Sequence, residues 1–321
     1  MNQFKRILKM DKFQLLKKIC CFEEIYTIGY RKREGKTLLD SEVLQFNRIP
    51  FDDRYWYADP IILPWREETY LFMESYDMFT RKGAIAVSRF EKDGQLSKPQ
   101  VILEEPYHMS FPMVFVWNDN LYMIPETCGN HSLNLYRCQG DITKWTLEAS
   151  FPTEEKLVDT AVVRVGENQV ELITAALHPQ DTLRYRWQKY RMIREASGYR
   201  LEGDQDFNGR EDYGRGYRMA GSLIRENGAV VLPAQVSTEV TYGEYMYLYD
   251  FSGGDLTRMP VLRKVAVDNI LLPDVQQKEH IGVHSYALSG EYEVIDMRYF
   301  RFSPRVRMRK ILNLGRKLLC I

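Results

Sequence analysis

Residues 59–75 read DPIILPWREETYLFMES: an apolar run, a polar turn and a second apolar run. β-Branched and aromatic residues are frequent in both runs, and the charged turn between them is a loop signal, so the stretch predicts a β-hairpin. The same arrangement returns four times, as FPMVFVWNDNLYMIPET (111–127), DTAVVRVGENQVELITAA (159–176), MAGSLIRENGAVVLPAQ (219–235) and GVHSYALSGEYEVIDMR (282–298). Five hairpins of one type therefore organise the chain.

A further apolar run follows each of the first four hairpins: AIAVSRF (84–90), LNLYRC (133–138), LRYRWQKYRM (183–192) and YMYLYDF (245–251). Successive hairpins start roughly 50 to 65 residues apart, a spacing that suits a four-stranded propeller blade with its loops. We therefore predict an all-β fold, a five-bladed β-propeller over residues 24–303, with EEIYTIGYRKREG and VLQFNRI near the N-terminus closing the ring. Two β-sandwich domains are the alternative, which is disfavoured because no Pro/Gly/Ser-rich linker divides the chain.

Charge is unevenly distributed along a chain whose formal net charge is zero. Residues 1–21 hold six basic residues and one acid, residues 304–321 hold six basic residues and no acid, and residues 22–303 hold 32 basic and 43 acidic residues. Apolar residues recur at helical spacing near the C-terminus, so we predict short basic helical segments at both termini, over 1–23 and 304–321. Such segments suit an anionic membrane surface, and docking onto the protein's own acidic body is an equal alternative.

The 321 residues are 45% apolar and 13% aromatic, which is enough to bury a substantial core. No apolar run reaches the roughly 18 residues of a membrane span, and the N-terminus lacks the pattern of a secretory signal, so we expect a cytoplasmic protein. The five cysteines form no CxxC pair, which favours reduced thiols. The acidic body argues against nucleic acid as a partner.

Antiparallel pairing places the start of each first strand beside the end of its second strand, so unusual residues at these positions should meet at one mouth of the central channel. Asp59 and Asp159 open first strands, and Glu74 and Glu126 lie at the ends of second strands. Converging carboxylates repel unless a ligand, a cation or a shared proton compensates, so such clusters often mark sites. Two carboxyls on opposite sides of a glycosidic oxygen are the groups that acid/base chemistry at an anomeric carbon requires.

The candidate catalytic residues are Asp59, Glu126 and Asp159, and the candidate substrate-binding residues are Trp56, Glu74, His108, Arg218, Gln235 and His284. Aromatic rings beside Asp59 suit the apolar face of a sugar ring. We expect no cofactor and no metal ion, because neither His108 nor His284 has a partner at metal-ligand spacing. Local explanations also exist: Asp59 could accept backbone hydrogen bonds in a turn, and Glu126 could be a solvated strand end.

A series of motifs along residues 24–300 resembles a known module. In order, the motifs are IYTIGYR, YWYADP with YLFMES, KGAIAV, HMSFPMVF, NLYMIPET, LVDTAV, YRMAG, PAQ with TYG, and GVHSY. This order resembles the propeller module at the N-terminus of plant glucosamine inositolphosphorylceramide transferases, also found in proteins of bacterial surface-polysaccharide gene clusters. That module is similar to the five-bladed glycoside hydrolases such as family 43. The resemblance implies a carbohydrate-active enzyme.

The resemblance also implies roles for individual residues. In family 43 the aspartate of the ADP motif is the general base, which matches Asp59 here. A glutamate is the general acid and a further aspartate tunes its pKa, and the corresponding residues are Glu126 and Asp159. Their order along the chain is the reverse of that in family 43, where the aspartate comes from the second blade and the glutamate from the third. The motif positions expected to touch substrate are those of His108, Arg218, Gln235 and His284.

Three classes of function remain open: a glycosyltransferase of cell-surface glycan assembly, an intracellular glycoside hydrolase, and a glycan-binding propeller without catalysis. We favour glycosyl transfer by inverting displacement, with a glycan or an activated sugar as substrate, because basic ends suit work at an inner membrane face. The chain lacks a Gly-rich phosphate loop, and its lone DxD motif at residues 204–206 is interpreted as a solvated turn. This disfavours a conventional nucleotide-sugar donor and favours a lipid-linked donor or a hydrolytic water.

Overall fold

The computed structural model of the protein describes residues 22–306, except 41, 274, 277 and 278, together with residues 308 and 312. Strands make up most of this part of the chain. In chain order they are β1 (Phe22–Lys32), β2 (Leu44–Gln45), β3 (Asn47–Arg48), β4 (Tyr55–Trp65), β5 (Glu68–Asp77), β6 (Lys82–Arg89), β7 (Gln100–Leu103), β8 (Ser110–Trp117), β9 (Asn120–Glu126), β10 (Ser132–Cys138), β11 (Trp145–Pro152), β12 (Leu157–Val165), β13 (Gln169–Leu177), β14 (Tyr185–Glu195), β15 (Gly198–Gly203), β16 (Arg218–Met219), β17 (Ile224–Glu226), β18 (Ala229–Val236), β19 (Tyr245–Asp250), β20 (Val261–Ala266), β21 (Ile270–Leu271), β22 (His280–Ser289) and β23 (Tyr292–Phe302). The short helical segments whose bounds are described are α1 (Gln205–Asn208) and two 3₁₀ turns, Cys128–Asn130 and Val267–Asn269, and residues 304–306, 308 and 312 are also helical.

The strands form five blades arranged around a central channel. Four blades follow the chain outward from the channel: β4 to β7, β8 to β11, β12 to β15, and β16 with β17 followed by β18 to β20. The fifth blade has the order β22-β23-β1-β3, and β1 pairs with β23 along its whole length. The predicted all-β five-bladed propeller is therefore confirmed, with its five hairpins and its closure by a strand from the N-terminal segment.

The ends of the chain are described only in part. The predicted basic segments at 1–23 and 304–321 lie outside the described residues, apart from residues 22 and 23, which begin β1, and residues 304–306, 308 and 312. Within the described part of the chain, no helix is both long and apolar enough to cross a membrane. Outside the blades, β2 and β21 pair in parallel and tie two surface loops together.

Apolar side chains pack between the faces of neighbouring blades. One cluster joins the fourth and fifth blades and includes Met246 and Tyr286, both fully buried. A second cluster extends through the first four blades and includes Phe72 and Met123. Because both faces of the inner strands are covered in this way, those strands are almost continuously apolar in sequence rather than strictly alternating.

Each first strand is irregular near the channel mouth. Its pairing with the second strand skips two residues after Ala58, Ser110, Val158 and Val283, and in the fourth blade the first strand is interrupted between β16 and β17. The skipped or interrupted positions include Asp59, Phe111, Asp159 and Gly221, with φ angles of 53°, 42°, 49° and 138°. Positive φ is uncommon for residues other than glycine. The same β-bulge is therefore built into successive blades.

Gly221 lies where the backbones of the fourth and fifth blades touch. The backbone N–H of Tyr286 donates a hydrogen bond of 2.7 Å to the carbonyl of Ala220. A Cβ atom at Gly221 would stand 2.2 Å from the carbonyl oxygen of Tyr286. The position therefore requires glycine both for its φ angle and for the space it leaves.

We expect Gly221→Ala to lower the free energy of unfolding by on the order of 3 kcal/mol, because alanine is strained at this φ and collides with Tyr286. Chemical denaturation of the purified protein measures the loss. Gly253→Ala is the matched control, since Gly253 has no positive φ and no atom within 4 Å of the place its Cβ would take. Equal stability of the two variants would contradict this account of the blade contact.

Candidate active site

The mouth of the channel gathers charged side chains from all five blades. The register puts first-strand starts beside second-strand ends, as in the pair Ala58 and Glu74 and the pair Ser110 and Glu126. The charged residues there are Asp59, Glu74, Glu126, Asp159, Arg218, His284 and Asp296, which together we call the acidic mouth. None of its five carboxylate side chains is more than 8% exposed. Five buried acids require compensating partners.

Backbone N–H groups of the bulges are one set of partners. The N–H of Asp59 donates to Asp296 Oδ2 (3.0 Å), that of Phe111 to Asp59 Oδ2 (3.2 Å), and that of Asp159 to Glu126 Oε2 (3.3 Å). In each case the carboxylate belongs to the preceding blade of the ring, so the bond crosses a blade boundary. The bulge thus turns one N–H out of the strand ladder and toward a neighbouring acid.

Arg218 is the side-chain partner of two carboxylates, Asp159 and Glu126. Its Nε and Nη2 donate to the two oxygens of Asp159, and Nη2 also donates to Glu126 Oε2 at 3.2 Å. The guanidinium carbon lies 5.4 Å and 5.3 Å from the ring centres of Tyr185 and Tyr242. Burial opposes the charged form, but Asp159 and the other acidic neighbours outweigh it and raise the pKa of Arg218. Arg218 is therefore a permanent cation within the mouth.

His284 stands between two more carboxylates. Its Nδ1 lies 2.6 Å from Asp296 Oδ2, and its Nε2 lies 3.5 Å from Asp59 Oδ1. The hydroxyl of Ser285 also donates to Asp59 Oδ1, at 3.0 Å. Burial lowers the pKa of His284, but the charges of Asp296 and Asp59 outweigh this effect and raise it above the usual value. The imidazole therefore lies between Asp59 and Asp296, whose charges favour its protonated form.

Burial shifts the protonation of the acids as well. It raises the pKa of Asp59 to about 6, against the opposing charge of His284 and with added repulsion from Asp159 and Asp296. It raises the pKa of Glu126 to about 8, with repulsion from Asp159 adding to the shift and Arg218 opposing it. At neutral pH, Asp59 is therefore mostly ionised while Glu126 is largely protonated. Carboxyls in different protonation states are what acid/base catalysis needs.

A row of rings runs beside the acids. The successive ring-centre distances are His108 to Tyr76 6.0 Å, Tyr76 to Trp56 4.4 Å, Trp56 to Tyr26 5.0 Å, Tyr26 to His284 4.6 Å, and His284 to Tyr242 5.6 Å. We call these six residues the aromatic row. Trp56 and Tyr76 stack within 12° of parallel, and both remain partly exposed. Partly exposed rings beside polar groups suit the apolar face of a sugar.

Two buried acceptor atoms in the mouth have no hydrogen-bond partner among the described residues. They are Oε1 of Glu74 and Oε1 of Gln235. The amide nitrogen of Gln235 donates to Asp159 Oδ2 at 3.3 Å, which fixes the orientation of the amide. A buried acceptor without a donor costs stability unless a ligand provides one. Sugar hydroxyl and amine groups are donors of this kind.

All nine residues predicted from the sequence lie at this mouth. Hydrogen bonds and ion pairs join Asp59, Glu126, Asp159, Arg218, Gln235 and His284, whereas Trp56 and His108 belong to the aromatic row and Glu74 lies against His108. Four residues of the acidic mouth and the aromatic row were not among the candidates: Tyr26, Tyr76, Tyr242 and Asp296. Tyr76 and Asp296 lie near second-strand ends, so the hairpin register is a signal for them. Tyr26 lies in a third strand and Tyr242 in a turn, where the hairpin repeat gives no signal.

Asp59, His284 and Asp296 could also hold a metal ion, since each offers one ligand atom and these atoms lie within 4.8 Å of one another. Metal ligation would require His284 without a proton on the ligating nitrogen. Without a cation, the charges of Asp296 and Asp59 raise the pKa of His284, whereas a bound cation would take the place of the ring proton. The sequence predicted no metal site because these three residues are not at metal-ligand spacing along the chain, and the structure brings them together.

Two cavities lie away from the acidic mouth. One of about 660 Å³ opens at the opposite end of the channel and is lined by the far halves of the first strands, which are mostly apolar. Another, of about 480 Å³, lies between the third and fourth blades, and its lining includes Asp204 and Asp206. Asp204 accepts the backbone N–H of Phe207 at 3.0 Å and caps α1. The DxD motif is thus an exposed helix-capping turn, in keeping with its interpretation as a solvated turn.

The sequence is similar to one named group of proteins. The family model described as "Glucosamine inositolphosphorylceramide transferase 1, N-terminal" matches residues 50–252. Glucosamine inositolphosphorylceramide transferase 1 of Arabidopsis thaliana is 35% identical over 107 residues, which are 33% of this chain and 14% of that protein. The protein of the same name from Oryza sativa subsp. indica is 28% identical over 198 residues, 60% of this chain and 26% of that protein. The chain thus matches about a quarter or less of the length of these relatives.

The fold is similar to that of solved glycoside hydrolases. The α-L-arabinofuranosidase PaAbf62A from Podospora anserina aligns with a TM-score of 0.50 at 9% identity, over 76% of this chain and 90% of that chain. The catalytic domain of the GH62 α-L-arabinofuranosidase from Coprinopsis cinerea aligns with the same score and coverage at 10% identity. At such low identity the similarity is one of fold alone.

We expect Arg218→Met to lower the free energy of unfolding by about 3–5 kcal/mol at neutral pH, because it leaves Asp159 and Glu126 buried without their cation. The loss should shrink as the pH falls, since protonation removes the unpaired charges from the carboxyls. Urea denaturation at about pH 8 and about pH 5 measures both effects.

Arg54→Met is the control for this variant. Arg54 pairs with Asp77, but 49% of the Arg54 side chain is exposed, and the backbone N–H groups of Phe79 and Thr80 still donate to Asp77 without it, so its removal should change stability less. A loss of equal size at both pH values, or an equal loss in the control, would show that Arg218 does not neutralise buried acids.

Proposed function

The chain belongs to the family described as glucosamine inositolphosphorylceramide transferase 1, N-terminal, and from this we propose that it is a carbohydrate-active enzyme that transfers a glycosyl group in the assembly of a cell-surface glycan. The observation that carries the proposal is the acidic mouth, where buried carboxyls from four blades are held in different protonation states. The names of the curated relatives support transfer, although the chain matches only a small share of their length.

Asp59 is the proposed general base. The N–H of Phe111 and the hydroxyl of Ser285 orient its carboxylate, and protonated His284 favours its ionised form. With a pKa of about 6 it is ionised at neutral pH and still basic enough to accept a proton. The acceptor hydroxyl would give its proton to Asp59 while its oxygen attacks the anomeric carbon and the bond to the leaving group breaks.

The charge of the mouth favours a neutral or amine-bearing sugar. Its five carboxyls outnumber its two cations, and Arg218 is already held by Asp159 and Glu126. A nucleotide diphosphate would meet repulsion here, whereas an ammonium group would meet acceptors such as Glu74 Oε1 and Gln235 Oε1. The curated relatives are named for glucosamine, an amino sugar, and we propose a sugar of this class.

Hydrolysis of a glycoside is the second candidate. The same base could activate water instead of an acceptor hydroxyl, and the solved propellers of similar fold include arabinofuranosidases. The specific observation in its favour is that the cations described in the mouth, Arg218 and His284, are both engaged by acids and so unsuited to hold the phosphate of an activated donor. A propeller that only binds a glycan is the remaining outcome.

We expect Asp59→Asn to lower turnover by about 10²–10⁴-fold while glycan binding is retained. Asparagine tolerates the φ of 53° and keeps an oxygen for the N–H of Phe111. Wild-type turnover should fall as the pH drops below about 6, because protonated Asp59 cannot accept a proton. Mass spectrometry of products from 4-nitrophenyl glucosaminides and arabinofuranosides, with and without a glycolipid acceptor, measures turnover, and calorimetry measures binding.

The products separate the three classes of function. A new glycoside formed only with the acceptor supports transfer, free sugar alone supports hydrolysis, and wild-type binding without turnover identifies a binding protein. Asp119→Asn is the control, because Asp119 also has a positive φ, 59°, but lies in an exposed turn. It should behave as the wild type.

We also propose that the basic terminal segments bring the acidic mouth to an anionic membrane, at the cytoplasmic face. β23 runs from the turn at Gly290 toward the mouth, and its last residue, Phe302, pairs with the first residue of β1, Phe22. Both terminal segments therefore leave the propeller on the side of the mouth. Phe302, at the end of β23, is 57% exposed, and Met308 and Leu312 beyond it in the chain are both 61% exposed, as a membrane-contacting surface requires. A lipid-linked sugar would then meet the mouth directly.

We expect the protein to co-sediment with phosphatidylcholine vesicles that contain phosphatidylserine, and not with phosphatidylcholine alone. Glutamine at the six basic positions of the C-terminal segment should weaken this binding, because each basic residue near the surface contributes about 1 kcal/mol. These positions are Arg305, Arg307, Arg309, Lys310, Arg316 and Lys317. The control is the double variant Lys92→Gln, Lys98→Gln, which changes an exposed loop at the face opposite the mouth. If this variant weakens vesicle binding as much as the C-terminal variant does, the proposed orientation is wrong.

A further inference from the structure

We propose that Glu74 is the proton donor of the acidic mouth, giving its carboxyl proton to the oxygen that leaves the anomeric carbon; this assignment rests on the proposed function. Glu74 lies on β5 opposite Ala58, beside the bulge that carries Asp59. Its side chain is 6% exposed. Its Oε1 atom is buried and has no hydrogen-bond partner in the described part of the chain.

The neighbouring strand is shaped around this carboxyl. A Cβ at Gly83 on β6 would lie 2.5 Å from the carbonyl oxygen of Met109, 2.6 Å from Glu74 Oε1 and 2.7 Å from His108 Cε1. Only glycine lets the carboxyl, the loop backbone and the imidazole come this close together. The packing restricts where the carboxyl can move, as a group that must meet a reacting atom requires.

His108 presents a neutral imidazole to Glu74. Its Nδ1 accepts the backbone N–H of Gly83 at 2.9 Å, so the ring proton lies on Nε2, which stands 3.5 Å from Glu74 Oε1. Burial lowers the pKa of His108. A neutral ring supplies no positive charge that would hold Glu74 in its ionised form.

Glu126, the other candidate acid, has different surroundings. Its Oε2 accepts from Arg218 and from the backbone N–H of Asp159, and its Oε1 accepts from the thiol of Cys128. Arg218 and the thiol of Cys128 lower the pKa of Glu126, but burial and the charge of Asp159 outweigh them and raise it to about 8. The three donors nevertheless occupy both oxygens of Glu126. At Glu74 the nearest donor described is the Nε2–H of His108, 3.5 Å from Oε1, so neither a charged group nor a backbone N–H occupies this oxygen.

The remaining charges around Glu74 favour its neutral form. Burial is the largest influence, and the charges of Asp59 on β4, Glu126 on β9, Asp296 on β23 and Asp159 on β12 add to it, so the pKa of Glu74 is raised well above its usual value. The group that faces it from the loop before β8 is His108, which is neutral. A carboxyl that keeps its proton at physiological pH is the form a general acid needs before the bond breaks.

The step balances without a further reactant. As the acceptor oxygen bonds to the anomeric carbon, its proton passes to Asp59, and as the bond from that carbon to the leaving oxygen breaks, the leaving oxygen takes the proton of Glu74. Asp59 loses its charge while Glu74 gains one, so the number of negative charges in the mouth does not change. Proton exchange with solvent then restores both groups.

The protonation state of Glu74 tests the assignment without a substrate. In protein labelled with ¹³C at glutamate Cδ, we expect the NMR signal that is missing in Glu74→Gln to report a protonated carboxyl at about pH 7. In Asp59→Asn the same signal should titrate at lower pH, because a neighbouring charge is gone. If Glu74→Gln does not fold, Glu74→Asp identifies the signal instead. An ionised Glu74 at about pH 7 overturns the assignment.

Dependence on the leaving group tests the role in turnover. Glu74→Gln should lower turnover of alkyl glycosides by about 10²–10⁴-fold but affect 2,4-dinitrophenyl glycosides little, because their leaving group departs without a proton. The alkaline limb of the pH profile should also be lost. Glu126→Gln is the matched variant and should affect both kinds of leaving group alike.

The outcomes distinguish this inference from the proposed function. If the leaving-group-dependent loss appears in Glu126→Gln instead, Glu126 is the acid and the assignment of Glu74 is wrong, while Asp59 as base still stands. If the wild type turns over neither kind of glycoside, with or without acceptor, the proposed function fails and the donor role of Glu74 fails with it.

Discussion

The β-bulge in the first strand of each blade is the constraint on which the mouth depends. An ordinary strand would direct the N–H of Asp59, Phe111 and Asp159 into its own ladder, whereas the bulge directs it across a blade boundary to an acid. Each of these N–H to carboxylate hydrogen bonds both joins neighbouring blades and gives a buried carboxylate a donor. The acids are therefore part of the structure that closes the ring, and the positive φ angles at these positions are the cost of that arrangement.

The two cations divide the mouth into halves with different chemistry. On one side Arg218 donates to Asp159 and Glu126, and on the other His284 lies between Asp59 and Asp296. Glu74 lies in neither ion-pair network, and its burial, together with repulsion from the other acids, raises its pKa. In the proposed assignment the mouth keeps Asp59 basic and Glu74 neutral at the same pH, which a uniform cluster of acids could not do, because like charges at short distance share their protons.

The periodic features of the fold were predictable from sequence, because each hairpin carries its own apolar runs and turn, and antiparallel pairing fixes which residues share an end. That register was enough to bring Asp59, Glu126 and Asp159 together. The residues that pack beside these acids or donate hydrogen bonds to them were not predictable in the same way. Tyr26 joins the aromatic row from a strand that precedes Asp59 by about 30 residues in sequence. Phe111 has a positive φ angle, although aromatic residues strongly prefer negative φ. Such pairings depend on ring closure, on which no single stretch of sequence carries information.

Ring closure is therefore also a condition for the chemistry. His284 and Asp296, which set the charge state of Asp59, belong to the fifth blade, and so does Tyr26, which packs against both His284 and Trp56. That blade forms only when β1 pairs with β23, and it lies outside the residues 50–252 that match the family model. The first four blades alone would lack His284 beside Asp59, and the aromatic row would lack the rings of Tyr26 and His284. The base of the mouth thus acquires its working pKa only in the closed propeller, so the site is complete only when the outermost strands of the chain have paired.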